Sequence, residues 1–150
     1  MIYLITVNYY SADLVQTLLE SVQSQGAEFC LVIVNNSPED HQVRSLVGPQ
    51  VELLEMGYNA GFGAGCNRGL QWVYERAPGA IAWLINPDTT LQADALAQAQ
   101  HYCTAHPEIS LLGTVIDQPD GTIWFAGGAF NPATGRIVAQ EQLPSPTIAA

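Results

Sequence analysis

The sequence predicts an α/β fold: a mostly parallel sheet with helices on both faces. Two observations lead there. Short, largely apolar runs recur at 2–7, 29–34 and 80–85, each the length of a strand buried on both faces. Between them, apolar residues recur at helical spacing, so the chain alternates as β-α-β-α-β-α-β-α-β. Such alternation builds parallel strands through right-handed crossovers. No internal repeat or linker interrupts it.

The first strand, Ile2 to Val7, ends in Asn8-Tyr9-Tyr10. Ser11 is placed to cap a helix, with Asp13 in the first turn, where the helix dipole favours an acid. Leu14, Val15, Leu18, Leu19 and Val22 form that helix's apolar stripe. Phe29 to Val34 is the second strand. Ser37, Pro38 and Asp40 then have the form of a capping box, which predicts a short helix to about Leu46. Val51 to Met56 is a third strand, interrupted by Glu52 and Glu55. A helix starting inside 57–69 carries Phe62, Cys66, Leu70, Val73 and Ala77 on one face. Ala80 to Ile85 is read as the central strand, and Pro87, lacking an N–H, ends its ladder. Leu91, Ala95, Leu96, Ala99, Tyr102 and Cys103 mark a further helix, stopped at His106-Pro107. Ile109 to Ile116 is a strand broken by Gly113. Asp120-Gly121 signals a hairpin into Thr122 to Phe125, and turn residues surround a short strand at 136–138. The organisation expected is one domain over 1–139 and a loosely ordered tail over 140–150.

At 150 residues and 48% apolar content the chain can bury a core and is not a disordered one. Its net charge is −10, and its four basic residues are Arg44, Arg68, Arg76 and Arg136. Unspecific nucleic-acid binding needs a basic surface and is therefore not expected. An anionic ligand needs local help from a metal ion or a helix N-terminus. Cys30, Cys66 and Cys103 are widely spaced and odd in number, which is neither a disulfide framework nor a zinc pattern and fits a reducing cytosol. His101, Cys103 and His106 lack ligand spacing and read as helix surface and core. No apolar run reaches the roughly 18 residues of a membrane span. The chain opens on a strand without a basic region, so no signal peptide is expected.

Two stretches carry the chemistry. Asp88 follows a strand that ends at Asn86-Pro87, and ligands of open α/β sheets bind beyond the carboxyl ends of the strands. One carboxylate with an asparagine two residues before it suits Mg²⁺ or Mn²⁺, which takes one or two carboxylates and completes its shell with phosphate and water. Asn-Pro-Asp is equally a plain turn sequence. Residues 57–69 hold five glycines, which imply close backbone approach, either to a ligand or to a packed strand. They do not form a dinucleotide fingerprint: six residues counted from Gly61 end at Cys66, and from Gly63 at Arg68. Without any lysine the chain has no P-loop, and asparagines stand where a phosphoacceptor receiver has acids.

Four segments together resemble the nucleotide-binding half of family 2 glycosyltransferases, with their Rossmann-like GT-A fold, and most of all the bacterial rhamnosyltransferase-like members. They are Val7-Asn8-Tyr9, Asn35-Asn36-Ser37, the run from Asn59 through Gly61-Phe62-Gly63 to Asn67 and Gly69, and Leu84 through Asn86-Pro87-Asp88. The stretch from Asp120-Gly121 to Gly127-Gly128, with Thr134-Gly135-Arg136, is similar to the same family. The resemblance implies transfer of a sugar from a UDP- or dTDP-linked donor to the hydroxyl of a saccharide or lipid-linked acceptor. It places Thr6, Val7, Asn8, Asn35 and Ser37 around the base and ribose, and Asn59, Phe62, Gly63 and Asn67 under the nucleoside. Asn86 and Asp88 take the position of the family's Asp-x-Asp motif, with Asp88 as the ligand of a Mg²⁺ or Mn²⁺ cofactor.

Three departures bear on activity. Many relatives carry an acid before Asn-x-Ser, where this chain has Val34 and Asn35. Asn86 replaces the first acid of the metal motif, so metal binding is expected to need nucleotide. The family's catalytic base lies in a later acidic motif, and after Asp120 the only acid is Glu141. The expectation is a truncated chain or a short homologue, cytoplasmic or peripheral to the inner face of the membrane. The alternative is a non-catalytic nucleotide-binding or self-associating module, a homo-oligomer, with Trp124, Phe125 and Phe130 as candidates for its surface. Trp124 is otherwise expected in the core.

Overall fold

The computed structural model describes residues 1–139, apart from the side chains of residues 129, 130 and 137–139. The tail expected over 140–150 and the Phe130 side chain lie outside the described residues. The chain divides into two compact units, the first over residues 1–107 and the second from 108 onward.

The first unit is an α/β layer structure. Its elements are β1 (Ile2–Asn8), α1 (Ala12–Gln23), β2 (Phe29–Asn35), a 3₁₀ helix (Gln42–Leu46), β3 (Val51–Glu55), α2 (Phe62–Arg76), β4 (Ile81–Leu84) and α3 (Ala95–Ala105). The four strands form one parallel sheet in the order β3-β2-β1-β4. Strand alternation sorts the β1 side chains between two cores. Ile2 and Leu4 pack with Val15, Leu18 and Val22 of α1, together with Leu31, Ile33 and Leu96. Tyr3, Ile5 and Val7 pack with Val32, Val34 and the α2 residues Cys66, Trp72 and Val73. Helices therefore cover both faces, as the apolar periodicity predicts.

Glycine sets how close α2 approaches. A Cβ at Gly69 would stand 2.4 Å from Ile5 Cγ2, and one at Gly65 would stand 2.9 Å from Val7 Cγ2. These two glycines answer to strand packing, the second of the two readings that the sequence left open. Gly61 answers to conformation, with φ +84° and open space around it.

Several expectations are corrected. The strand expected at 80–85, central and buried on both faces, is shorter and lies at the sheet's edge, paired only with β1 among the described strands. Ile81 and Trp83 pack on the α1 side, whereas Leu84 is 45% exposed, because α2 lies over β1 and β2. The capping box at Ser37 does not form. Asp40 N–H donates to the Ser37 carbonyl in a turn (2.9 Å), and the helix starts only at Gln42. Ser11 stands at the N-cap of α1 without a side-chain capping bond; its hydroxyl donates to Asn8 Oδ1 (2.9 Å), and its oxygen accepts Tyr9 N–H (3.4 Å). The helix predicted from Leu91 begins at Ala95, after Asp94 in a left-handed conformation (φ 63°).

The second unit holds two antiparallel hairpins, β5 (Ile116–Asp117) with β6 (Ile123–Phe125) and β7 (Gly128–Asn131) with β8 (Arg136–Ala139). The strand expected over 109–116 is reduced to the two residues of β5, and residues 109–115 join no ladder. The Asp120-Gly121 turn is as predicted, with Gly121 at φ +84°. Asp120 Oδ1 accepts both the backbone N–H (2.9 Å) and the hydroxyl (2.7 Å) of Thr122, and these bonds hold its carboxyl below the usual range. Trp124 is 66% exposed, not core: it stands on a three-residue strand of a small hairpin.

Candidate functional site

Polar residues collect at the carboxyl ends of β1, β2 and β4, in two groups of different character. The first is closed. β1 and β2 run in register to their last residues, which sets Asn8 beside Asn35. Asn8 Nδ2 lies 3.0 Å from Asn35 Oδ1, 3.2 Å from Ser37 Oγ and 3.0 Å from Asp40 Oδ2. An amide carries two hydrogens, so these three acceptors share them. Asn8 Oδ1 accepts Ser11 N–H (3.1 Å) and the Ser11 hydroxyl. Asn35 Oδ1 also accepts the backbone N–H (3.1 Å) and hydroxyl (3.0 Å) of Ser37, and Asn35 Nδ2 donates to Glu55 Oε2 (2.9 Å). Glu55 in turn pairs with Arg44 at 3.0 Å. Ser37 Oγ accepts Tyr10 N–H (3.1 Å), at a tyrosine held at φ 50°, where a non-glycine residue is strained.

Asn8, Asn35 and Ser37 are thus buried and bonded to one another. Thr6 is buried too, and its hydroxyl has no partner among the described residues.

The second group is open. A cleft of about 290 Å³ is lined by Val7, Tyr9, Ser11, Leu14, Phe62, Asn86, Pro87 and Asp88. It joins the end of β1, the first turn of α1, the start of α2 and the turn after β4, all at the sheet edge where α/β proteins bind ligands. Ile85 N–H donates to the Ile5 carbonyl (3.0 Å), which carries Asn86 past the sheet. Of the predicted residues, Val7, Phe62, Asn86 and Asp88 meet here. Asn59 uses its Oδ1 to accept Gly61 N–H (3.0 Å), Asn67 is exposed further along α2, and neither lines the cleft. Gly63 sits next to Phe62 in the first turn of α2 with nothing within 4 Å of a Cβ, so strand packing does not account for it.

The sequence reading missed Tyr9, Ser11, Leu14 and Pro87. The signal was available: Tyr9 directly follows Asn8, and Ser11 and Leu14 begin the helix that must start at this edge. A neighbouring hollow of about 350 Å³ on the other side of the same turn is lined by Tyr10, Ser11, Ala12, Asp13, Leu14, Asp40 and Gln42.

Among the described residues, no three His, Cys, Asp or Glu side chains stand together as a metal site. Burial and the nearby Glu52 push Cys30 up to about 11, and burial raises Cys66. Among the described residues no helix is long and apolar enough to cross a membrane.

The family model for glycosyl transferase family 2 matches residues 2–144. The chain belongs to this family. Solved glycosyltransferase structures share its fold. The mannosyltransferase PcManGT from Pyrobaculum calidifontis, in complex with GDP-Man and Mn²⁺, matches with a TM-score of 0.62 at 21% identity, over 79% of this chain and 36% of that one. S. aureus TarS 1-349 matches with a TM-score of 0.57 at 20% identity, over 71% of this chain and 33% of that one. This family 2 chain therefore spans about a third of the length of the structures it matches. Among curated proteins no match is found. The parallel sheet with helices on both faces is the GT-A-like arrangement of those neighbours.

Proposed function

We propose that this chain is the donor-binding part of a glycosyltransferase, and that the nucleotide diphosphate sugar occupies the open cleft. The observation that carries the reading is the meeting of Asp88, Asn86 and the start of α2 in one hollow at the carboxyl edge of the sheet. The first turn of a helix leaves N–H groups without intrahelical partners, and its dipole favours a phosphate. In a chain of net charge −10, this is the local help that an anionic donor needs. Phe62, 58% exposed, and Tyr9, 55% exposed, offer ring faces to a nucleoside. Gly63 lets backbone and ligand come close. Asn8, Asn35 and Ser37 serve the donor indirectly, by holding the turn that presents Tyr9 and Ser11.

The donor set at Asp88 fits a divalent ion that arrives with its nucleotide. One exposed carboxylate and one asparagine oxygen are too few to retain Mg²⁺ or Mn²⁺ alone, and a diphosphate supplies the remaining oxygens. Bound there, the ion supplies charge neutralisation for the diphosphate leaving group. Transfer to an acceptor hydroxyl also needs a base, and no residue described here is assigned to that role. Uridine or deoxythymidine is the nucleoside proposed.

Calorimetric titration with UDP, dTDP, GDP and CDP, with and without Mn²⁺, tests the reading. GDP belongs in the panel because a neighbour in fold holds GDP-Man. The expected result is manganese-dependent binding of a pyrimidine nucleotide that is lost in Asp88→Ala. If a folded chain binds none of the four, the donor-site reading fails and a non-catalytic interaction module takes its place.

A further inference from the structure

The geometry points to Asn36 as a positioning residue for the donor cleft, an inference that rests on the donor-binding reading above. Asn36 follows β2 and is 2% exposed. Its backbone N–H donates to the Asn8 carbonyl (2.9 Å), which extends the parallel ladder by one residue and fixes where its side chain starts. Its Nδ2 donates to the carbonyl of Gly61, 25 residues on, at 3.1 Å.

Gly61 is the residue from which α2 begins. Its φ of 84° and ψ of 164° belong to a region essentially restricted to glycine. Asn59 Oδ1 accepts its N–H, and its carbonyl also receives Gly65 N–H (3.1 Å), the first bond of the helix. The peptide groups on both sides of Gly61 are therefore pinned, one by a local turn and the other by Asn36 across the sheet. Phe62, the next residue, lines the cleft.

The other half of the Asn36 side chain shows what the amide is for. Its Oδ1 is buried and has no partner among the described residues. A buried acceptor left unpaired costs more than a typical hydrogen bond returns, so stability does not explain an amide at this position. An apolar side chain of the same shape would pack at least as well. What it could not do is hold the Gly61 carbonyl, and with it the first turn of α2, against the end of β2. Asn36 acts through Phe62 and the α2 N-terminus, pre-organising them for the donor.

The test compares the wild-type chain with Asn36→Leu, Asn36→Ala and Asp88→Ala. Three quantities are read: UDP affinity in Mn²⁺, the urea unfolding midpoint, and amide exchange at Gly65. Asn36→Leu is expected to keep or raise the midpoint. It should weaken UDP about tenfold and speed exchange at Gly65 while α1 and β1 amides keep theirs. Asn36→Ala, which cannot clash, should lose affinity to the same extent. If UDP binds wild type, is lost in Asp88→Ala and binds both Asn36 variants undiminished, the positioning role is wrong and the donor site stands. If both Asn36 variants unfold, the amide is structural and the inference is overturned. If wild type binds no nucleotide, the donor reading falls and takes this one with it.

Discussion

The two polar groups at the strand ends are built from the same residue types and behave differently. At the ends of β1 and β2, asparagine and serine side chains are buried and bonded to one another. After β4, Asn86 and Asp88 are exposed and line a cleft with Phe62 and Tyr9. The difference comes from sheet position. β1 and β2 are paired on both sides and covered by helices, so polar groups at their ends must satisfy each other. β4 is paired on one side among the described strands and ends in a proline turn, so its polar groups stay free.

Substitutions on the closed side give the largest expected effects. Asn8→Ala strips Asn35, Ser37 and Asp40 of a shared donor and Ser11 of its acceptor, and is expected to cost about 3 kcal/mol in urea denaturation. A cost under about 1 kcal/mol would mean that the network is not a structural unit. Gly69→Ala comes next: its methyl would meet Ile5 at 2.4 Å, and an overpacking loss of about 2 kcal/mol is expected. Gly63→Ala is the matched control, with open space around it, and should leave stability unchanged or raise it by up to about 1 kcal/mol. Weaker nucleotide binding by a fully stable Gly63→Ala protein would tie that glycine to the ligand. The Arg44–Glu55 pair, 49% and 38% exposed, should contribute under about 1 kcal/mol, read as the loss in Arg44→Ala and smaller still in high salt. On the open side, Asp88→Ala should change stability by no more than about 0.5 kcal/mol while abolishing manganese-dependent binding.

Much of this was legible in the chain itself. Runs such as Ile2 to Val7 and Phe29 to Val34 are too short and too apolar for anything but buried strands, and the α2 stripe of Cys66 and Val73 falls in the second core as its spacing predicts. The glycine-rich stretch stayed ambiguous because glycine serves packing, conformation and ligand approach alike. Only the structure separates Gly69, which answers to packing, from Gly61, which answers to conformation, and from Gly63, which has open space around it. The position of β4 was misread because local apolarity reports burial in a sheet and not rank within it. The bond between Asn8 and Asn35 is not legible in the sequence, which does not say that β1 and β2 end level with each other. That register is what makes them partners.

Manganese itself reports the open site most directly. Titrating Mn²⁺ and UDP into the isotopically labelled chain broadens amide signals near the ion. The account predicts selective loss at Asn86, Asp88 and Thr89, then at Tyr9 and Phe62, with α3 and β3 unaffected, and no such pattern in Asp88→Ala. Broadening centred elsewhere, or the same pattern in Asp88→Ala, would contradict the assignment of Asp88 and its cleft as the donor site.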